Sequence, residues 1–133
     1  SDDDGCLYAV ESDTGHQQWR FKTQDHTPSS PAVVDGVVYI GSFHRYLYAV
    51  DSRTGQEKWK FPTLGRIYSS PTVADGVVYV GSFDHNLYAV DSHTGQELWR
   101  FKTYGEVLGS PVVADGVVYF LSADGNFYAV AVR

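Results

Sequence analysis

The stretch "LYAVDSHTGQELWRFKT" at residues 87–103 returns as "LYAVESDTGHQQWRFKT" from Leu7 and as "LYAVDSRTGQEKWKFPT" from Leu47. The step is 40 residues throughout: Tyr8, Tyr48, Tyr88 and Tyr128 align, as do Trp19, Trp59 and Trp99, and Pro31, Pro71 and Pro111. A period of this length marks a solenoid, a propeller or an array, in which one unit cannot bury its apolar faces alone and needs a neighbour on each side. The forty-residue unit, rather than the chain, is therefore the object to fold.

Within one unit every apolar run has the character of a strand. "SSPTVADGVVYVGSFDHNLYAVDSHTGQELWRFKT" holds short runs rich in Val, Tyr, Phe and Trp, cut by turn signals at Asp75-Gly76, Asp84 to Asn86 and Thr94-Gly95. That predicts four strands per unit, antiparallel because every connection is short. The runs "VVYV" and "LYAV" are apolar at consecutive positions, the pattern of strands covered on both sides. No stretch carries the 3.6-residue period of a helical solenoid. Four-stranded antiparallel sheets stacked face to face in sequence are propeller blades, so the expected fold class is all-β.

Composition narrows the function. The chain has 133 residues, 43% hydrophobic and 20% charged, which is the composition of a globular protein. A formal net charge of −6 argues against a nucleic-acid partner, since phosphate binding requires clustered Lys and Arg. No apolar run reaches a membrane span's length and no signal peptide is present. If a signal has been removed, the expected location is periplasmic or extracellular. The single cysteine, Cys6, rules out an intrachain disulfide and a Cys-rich zinc site, and reads as a small free thiol.

The repeated positions also carry a family resemblance. Ala49, Asp51, Thr54, Gly55, Trp59 and Gly65, and again Ala89, Asp91, Thr94, Gly95, Trp99 and Gly105, resemble the tryptophan-docking motif of the pyrroloquinoline-quinone (PQQ) type β-propeller repeat. The first copy keeps Ala9, Thr14, Gly15 and Trp19 but has Glu11 and Asp25 in place of Asp and Gly, and the last has Ala131 where Asp belongs. The resemblance implies that Trp19, Trp59 and Trp99 are staples, each stacked on the backbone of the neighbouring blade. It also brings in quinoprotein dehydrogenases as well as non-catalytic propellers such as the outer-membrane assembly lipoprotein. The dehydrogenases' vicinal disulfide, calcium-binding Glu and Asn, and catalytic Asp have no counterpart here, since one cysteine cannot form a vicinal pair. We therefore expect no enzyme activity, no catalytic residue, no cofactor and no bound metal. The run Asp2, Asp3, Asp4 reads as a hairpin turn rather than a calcium loop, and the five histidines lack metal-ligand spacing. Asp35, Asp75 and Asp115 are accounted for by turn formation.

Differences between the copies point to a binding face. Two loops per unit are nearly constant, "VDG", "ADG", "ADG" and "DSRTGQE", "DSHTGQE". Two vary: "HRY", "DHN", "DGN" from positions 44, 84 and 124, and "QDHTP", "LGRIY", "YGEVL" from positions 24, 64 and 104. Alternate connections of an antiparallel sheet lie at the same end, so the varied loops share one end and the constant loops, with Asp51 and Asp91, share the other. The expected binding face holds His44, Arg45, Tyr46, Arg66, Tyr68, Asp84, His85 and Tyr104, together with His26, for a protein or small ligand.

The strand count gives a half blade at 1–28, whole blades at 29–68 and 69–108, and an incomplete blade at 109–133. About three blades are too few for a ring, which takes typically four to eight. Such a chain is expected either to self-associate, two copies making six blades, or to be part of a longer propeller.

Overall fold

A computed structural model describes residues 5–23 and 30–132. His26 and the Asp2–Asp4 run lie outside the described residues. Thirteen strands fall into four antiparallel sheets with no helix among the described residues. The first sheet pairs β1 (Cys6–Val10) with β2 (Gln17–Lys22). The second is β3 (Ala32–Val34), β4 (Val37–Gly41), β5 (Tyr46–Asp51) and β6 (Glu57–Pro62), in chain order. The third repeats it as β7 (Thr72–Ala74), β8 (Val77–Gly81), β9 (Asn86–Asp91) and β10 (Glu97–Lys102). The fourth holds β11 (Val107–Ala114), β12 (Val117–Ser122) and β13 (Phe127–Ala131). These are propeller blades, two complete and two partial. The strand expected from Ser110 starts earlier, at Val107, because Val107 and Leu108 pair with Ser122 and Leu121 of β12 before the register slips between Leu108 and Val112.

Local chemistry sets the register. Asp35-Gly36, Asp75-Gly76 and Asp115-Gly116 all have positive φ (51° and 78°, 51° and 77°, 53° and 77°), the two-residue hairpin turn whose twist matches its strands. At the next turn but one, the Asp51 carboxylate accepts from the N–H groups of Arg53 (2.8 Å) and Thr54 (3.2 Å), and Asp91 repeats this with His93 and Thr94. Those backbone donors favour the ionised form and hold both carboxyls below the usual carboxylate range.

The sheets stack face to face over three apolar layers. Leu7 meets Val38, Ile40, Tyr48 and Val50 between the first and second sheets. Tyr39, Leu47, Ala49 and Phe61 meet Val78, Val80, Tyr88 and Val90 between the second and third. Tyr79, Leu87 and Ala89 meet Val118 and Phe120 between the third and fourth. The consecutive apolar runs are thus buried on both faces in the middle sheets, as their pattern predicts.

The tryptophans act as wedges between sheets at two of the three expected places. The Trp19 indole N–H donates to the Ser52 carbonyl (2.9 Å), and its ring lies so close to Gly55 that a Cβ there would meet it at 2.7 Å. Trp59 repeats this on the Ser92 carbonyl (3.0 Å) and Gly95 (2.6 Å). Both glycines also have positive φ, 77° and 76°, so glycine is required twice over. Trp99 differs from the expectation: among the described residues it has neither the indole hydrogen bond nor the glycine contact of Trp19 and Trp59. Its ring packs against Tyr79 at 6.0 Å, as Trp59 does against Tyr39 at 5.9 Å.

Candidate functional site

The varied loops at 44–46, 64–68, 84–86, 104–108 and 124–126 lie at one end of the stacked sheets. Their backbones are tied down by buried threonines that close each sheet. Thr63 donates to the Arg45 carbonyl through both its N–H (2.7 Å) and its hydroxyl (3.1 Å), and Thr103 does the same to the His85 carbonyl at 2.8 and 2.9 Å. This clamp sustains an unusual backbone: Arg45 and His85 have φ of 71° and 83°, at a position where the fourth sheet has Gly125 with φ 90°. A left-handed conformation at a bulky residue costs free energy that glycine would spare, and such outliers concentrate at functional sites.

Four of the eight expected residues come together. His44, Arg45, Tyr46 and Arg66 line one cleft of about 510 Å³ with Phe43, Pro62 and Thr63. The Arg66 guanidinium lies 5.1 Å from the centre of the Phe43 ring, and the Lys60 ammonium 4.8 Å from that of Tyr46, so the walls are aromatic planes carrying cations. His44 and Arg45 are exposed, leaving their polar atoms available to a ligand. Among the described residues no carboxylate lines this cleft, although the chain as a whole carries a net charge of −6.

The other four lie apart from the cleft. Tyr68 is half-exposed between Phe43 (5.2 Å) and Phe83 (5.6 Å, stacked at 11°), forming an aromatic shelf beside the cleft. His85 gives its carbonyl to Thr103, and Tyr104 is 82% exposed with its N–H bonded to Asp124. Asp84 is engaged within the fold: its carboxylate accepts from the Leu64 N–H (3.0 Å), the Asn86 N–H (3.0 Å) and the Tyr88 hydroxyl. Asp124 makes the same bridge to the Tyr104 N–H (3.1 Å), the Asn126 N–H (2.9 Å) and the Tyr128 hydroxyl (2.6 Å), and the tyrosine bond lowers its pKa. An aspartate at this position therefore closes the varied end of a joint. At position 44 the residue is His, the Tyr48 hydroxyl turns to the Thr23 carbonyl (3.3 Å), and the cleft opens there.

Sequence reasoning missed Phe43, Pro62 and Thr63. Phe43 recurs as Phe83 and Thr63 as Thr23 and Thr103, so a search for differences between copies passes over these two, whereas Pro62 stands where the other copies have Lys22 and Lys102, on a strand and not in a compared loop.

Clefts at the constant end are of another kind. One, lined by Asp35, Asp75 and Ser92, repeats forty residues on as one lined by Asp75 and Asp115, so they are the periodic groove between sheets. Among the described residues no group of three or more His, Cys, Asp or Glu side chains is placed to hold a metal ion.

Stacked four-stranded blades with this docking pattern define a PQQ-like β-propeller repeat protein. The chain belongs to the family of the outer membrane protein assembly factor BamB, whose profile matches residues 3–133. Among solved structures it is similar to BamB from Moraxella catarrhalis, at 22% identity and a TM-score of 0.85 over 97% of this chain and 41% of that one. It is also similar to the computationally designed Ika4 protein (20%, 0.85, 98% of this chain and 82% of that one). A quinohemoprotein alcohol dehydrogenase from Pseudomonas putida matches at 28% and 0.72 over 81% of this chain and 19% of its own length. The chain thus spans less than half the length of the BamB structure it matches. No curated protein matches its sequence.

Proposed function

We propose that the chain is a non-catalytic propeller module that binds an acidic peptide segment of a partner protein in the cleft of His44, Arg45, Tyr46 and Arg66. The carrying observation is the convergence of Arg45 and Arg66 on one aromatic-walled cleft, with no carboxylate among the described residues of its lining. Guanidinium groups pair carboxylates through two parallel hydrogen bonds, and rings beside them exclude water from the contact. Membership in the family of an outer membrane assembly factor supports a protein partner and a periplasmic setting. The open sheet faces at either end support self-association or incorporation in a larger ring.

A fluorescein-labelled peptide of eight glutamates, titrated at low and moderate salt, tests the reading. Saturable binding that weakens with salt is expected, and replacing Arg45 and Arg66 together by Ala should reduce it at least about tenfold with the melting temperature almost unchanged. Binding indifferent to those two arginines overturns the site. Reduction of a redox dye in the presence of PQQ, calcium and a primary alcohol, above the protein-free rate, overturns the non-catalytic reading.

A further inference from the structure

The first and fourth sheets are each a partial blade, and their strands are complementary. The fourth supplies the first and second strands of a blade, β11 and β12, and the first supplies the third and fourth, β1 and β2. Exposure shows what each lacks. Phe127 is 65% exposed where Leu47 and Leu87 are fully buried, and Val10 is 53% exposed where Val50 and Val90 are fully buried. Val33 is 62% exposed, whereas its equivalents Val73 and Val113 pack into apolar layers. The docking pair is split in the same way. Among the described residues no glycine sits against Trp99, and Gly15, with φ of 76° and nothing within 4 Å of where a Cβ would stand, is a seat that no described tryptophan fills.

We propose that a second copy of this chain fills the gap, its β1–β2 hairpin pairing with β12 so that Trp99 seats on Gly15 of that copy. The inference rests on the self-association reading and uses no side chain of the cationic cleft. The occupant is argued from the interface itself, which the chain already builds twice: Trp19 on Gly55 and Trp59 on Gly95 give the geometry that Trp99 and Gly15 would complete.

One strand must yield, since the third strand is present as both β1 and β13. β13 is the strand to leave, because β1 is anchored by buried Cys6 and Leu7 while β13 exposes Phe127 and Ala129. The exchange conserves packing: Leu7, Tyr8, Ala9 and Val10 replace Phe127, Tyr128, Ala129 and Val130, like for like. It then adds a fourth strand and covers the apolar pocket of Leu108, Val112, Tyr119, Leu121 and Phe127's former neighbours, now open to solvent. Each copy contributes two whole blades and one shared blade, so two copies close a six-bladed ring, within the range propellers adopt.

The register is set by the second sheet, in which Val37 opposes Asp51. Eighty residues on for the first strand and forty back for the second, Val117 opposes Glu11 of the second copy. Cysteines at Val117→Cys and Glu11→Cys would then face each other across two chains, at a separation a disulfide accepts. Three measurements decide the matter on the full chain. Light scattering on a size-exclusion column should give twice the 14.8 kDa chain mass. The double-cysteine variant, oxidised, should run as a covalent dimer on a non-reducing gel. Gly15→Asn, which keeps the left-handed backbone but adds a Cβ in the seat, should weaken dimerisation by at least about tenfold while leaving peptide binding in the cleft intact. A monomer at all concentrations, or a dimer that neither cross-links nor responds to Gly15→Asn, overturns the proposal. Loss of peptide binding alone would sink the cleft assignment and leave the dimer standing.

Discussion

The joint between the second and third sheets and the cleft above the second sheet are built from the same forty-residue unit, yet one end is sealed and the other open. At the sealed joint Asp84 ties the Leu64 backbone to the Tyr88 hydroxyl. At the cleft the corresponding residue is His44, with Arg45 and Arg66 beside it. Under the proposed function, a residue that serves the joint in two copies is exchanged in the third, and the space beside it becomes the site.

The largest expected effect tests whether the wedge, which is common to these joints, holds the stack. Trp59→Ala should cost about 3–5 kcal/mol in denaturant unfolding, the range for a large buried aromatic. At concentrations where the chain is monomeric, Trp99→Ala should cost clearly less, since within one copy Trp99 makes neither the indole bond nor the glycine contact of Trp59. Equal losses would show that the seat contributes little beyond buried area.

A middle-sized effect concerns the bridge itself. Asp84→Ala leaves the Leu64 N–H and the Tyr88 hydroxyl without their acceptor, and should cost about 1–3 kcal/mol. His44→Ala, by contrast, should leave the melting temperature nearly where it was. A destabilising His44→Ala would mean that position 44 serves the joint after all.

The smallest effect near neutrality is alkaline. Burial raises the phenols of Tyr39, Tyr48, Tyr79 and Tyr88 above the ordinary value, and for Tyr88 the Asp84 carboxylate adds to burial because it accepts a bond only from the neutral phenol. The unfolded chain releases these protons near pH 10 and the folded chain later. Stability is therefore fully present below about pH 10 and is lost as the pH rises through the folded values. Absorbance titration at 295 nm should show a late component that Tyr88→Phe removes; its persistence would mean the raised phenol lies elsewhere.

The fold was legible because periodicity needs no tertiary knowledge: Asp-Gly turns, paired apolar runs and a tryptophan at a fixed step place every strand of the middle sheets. Comparing copies also singled out four residues that line one cleft. Two things escaped for physical reasons. Asp84 differs from His44 in sequence, but a carboxylate that seals a joint and a side chain that faces solvent look alike until their partners are seen. Trp99 matches its repeats in sequence, yet its role depends on a surface that another sheet must present.

The threonine clamp on the varied loops has a consequence for change over time. Thr63 and Thr103 grip a main-chain carbonyl and ignore the side chain of the residue that bears it. Arg, His and Gly occupy that position in successive units with nearly the same backbone. The scaffold thus separates what must stay fixed from what is free to drift, and new recognition surfaces can be sampled one residue at a time while the blades beneath stay in place.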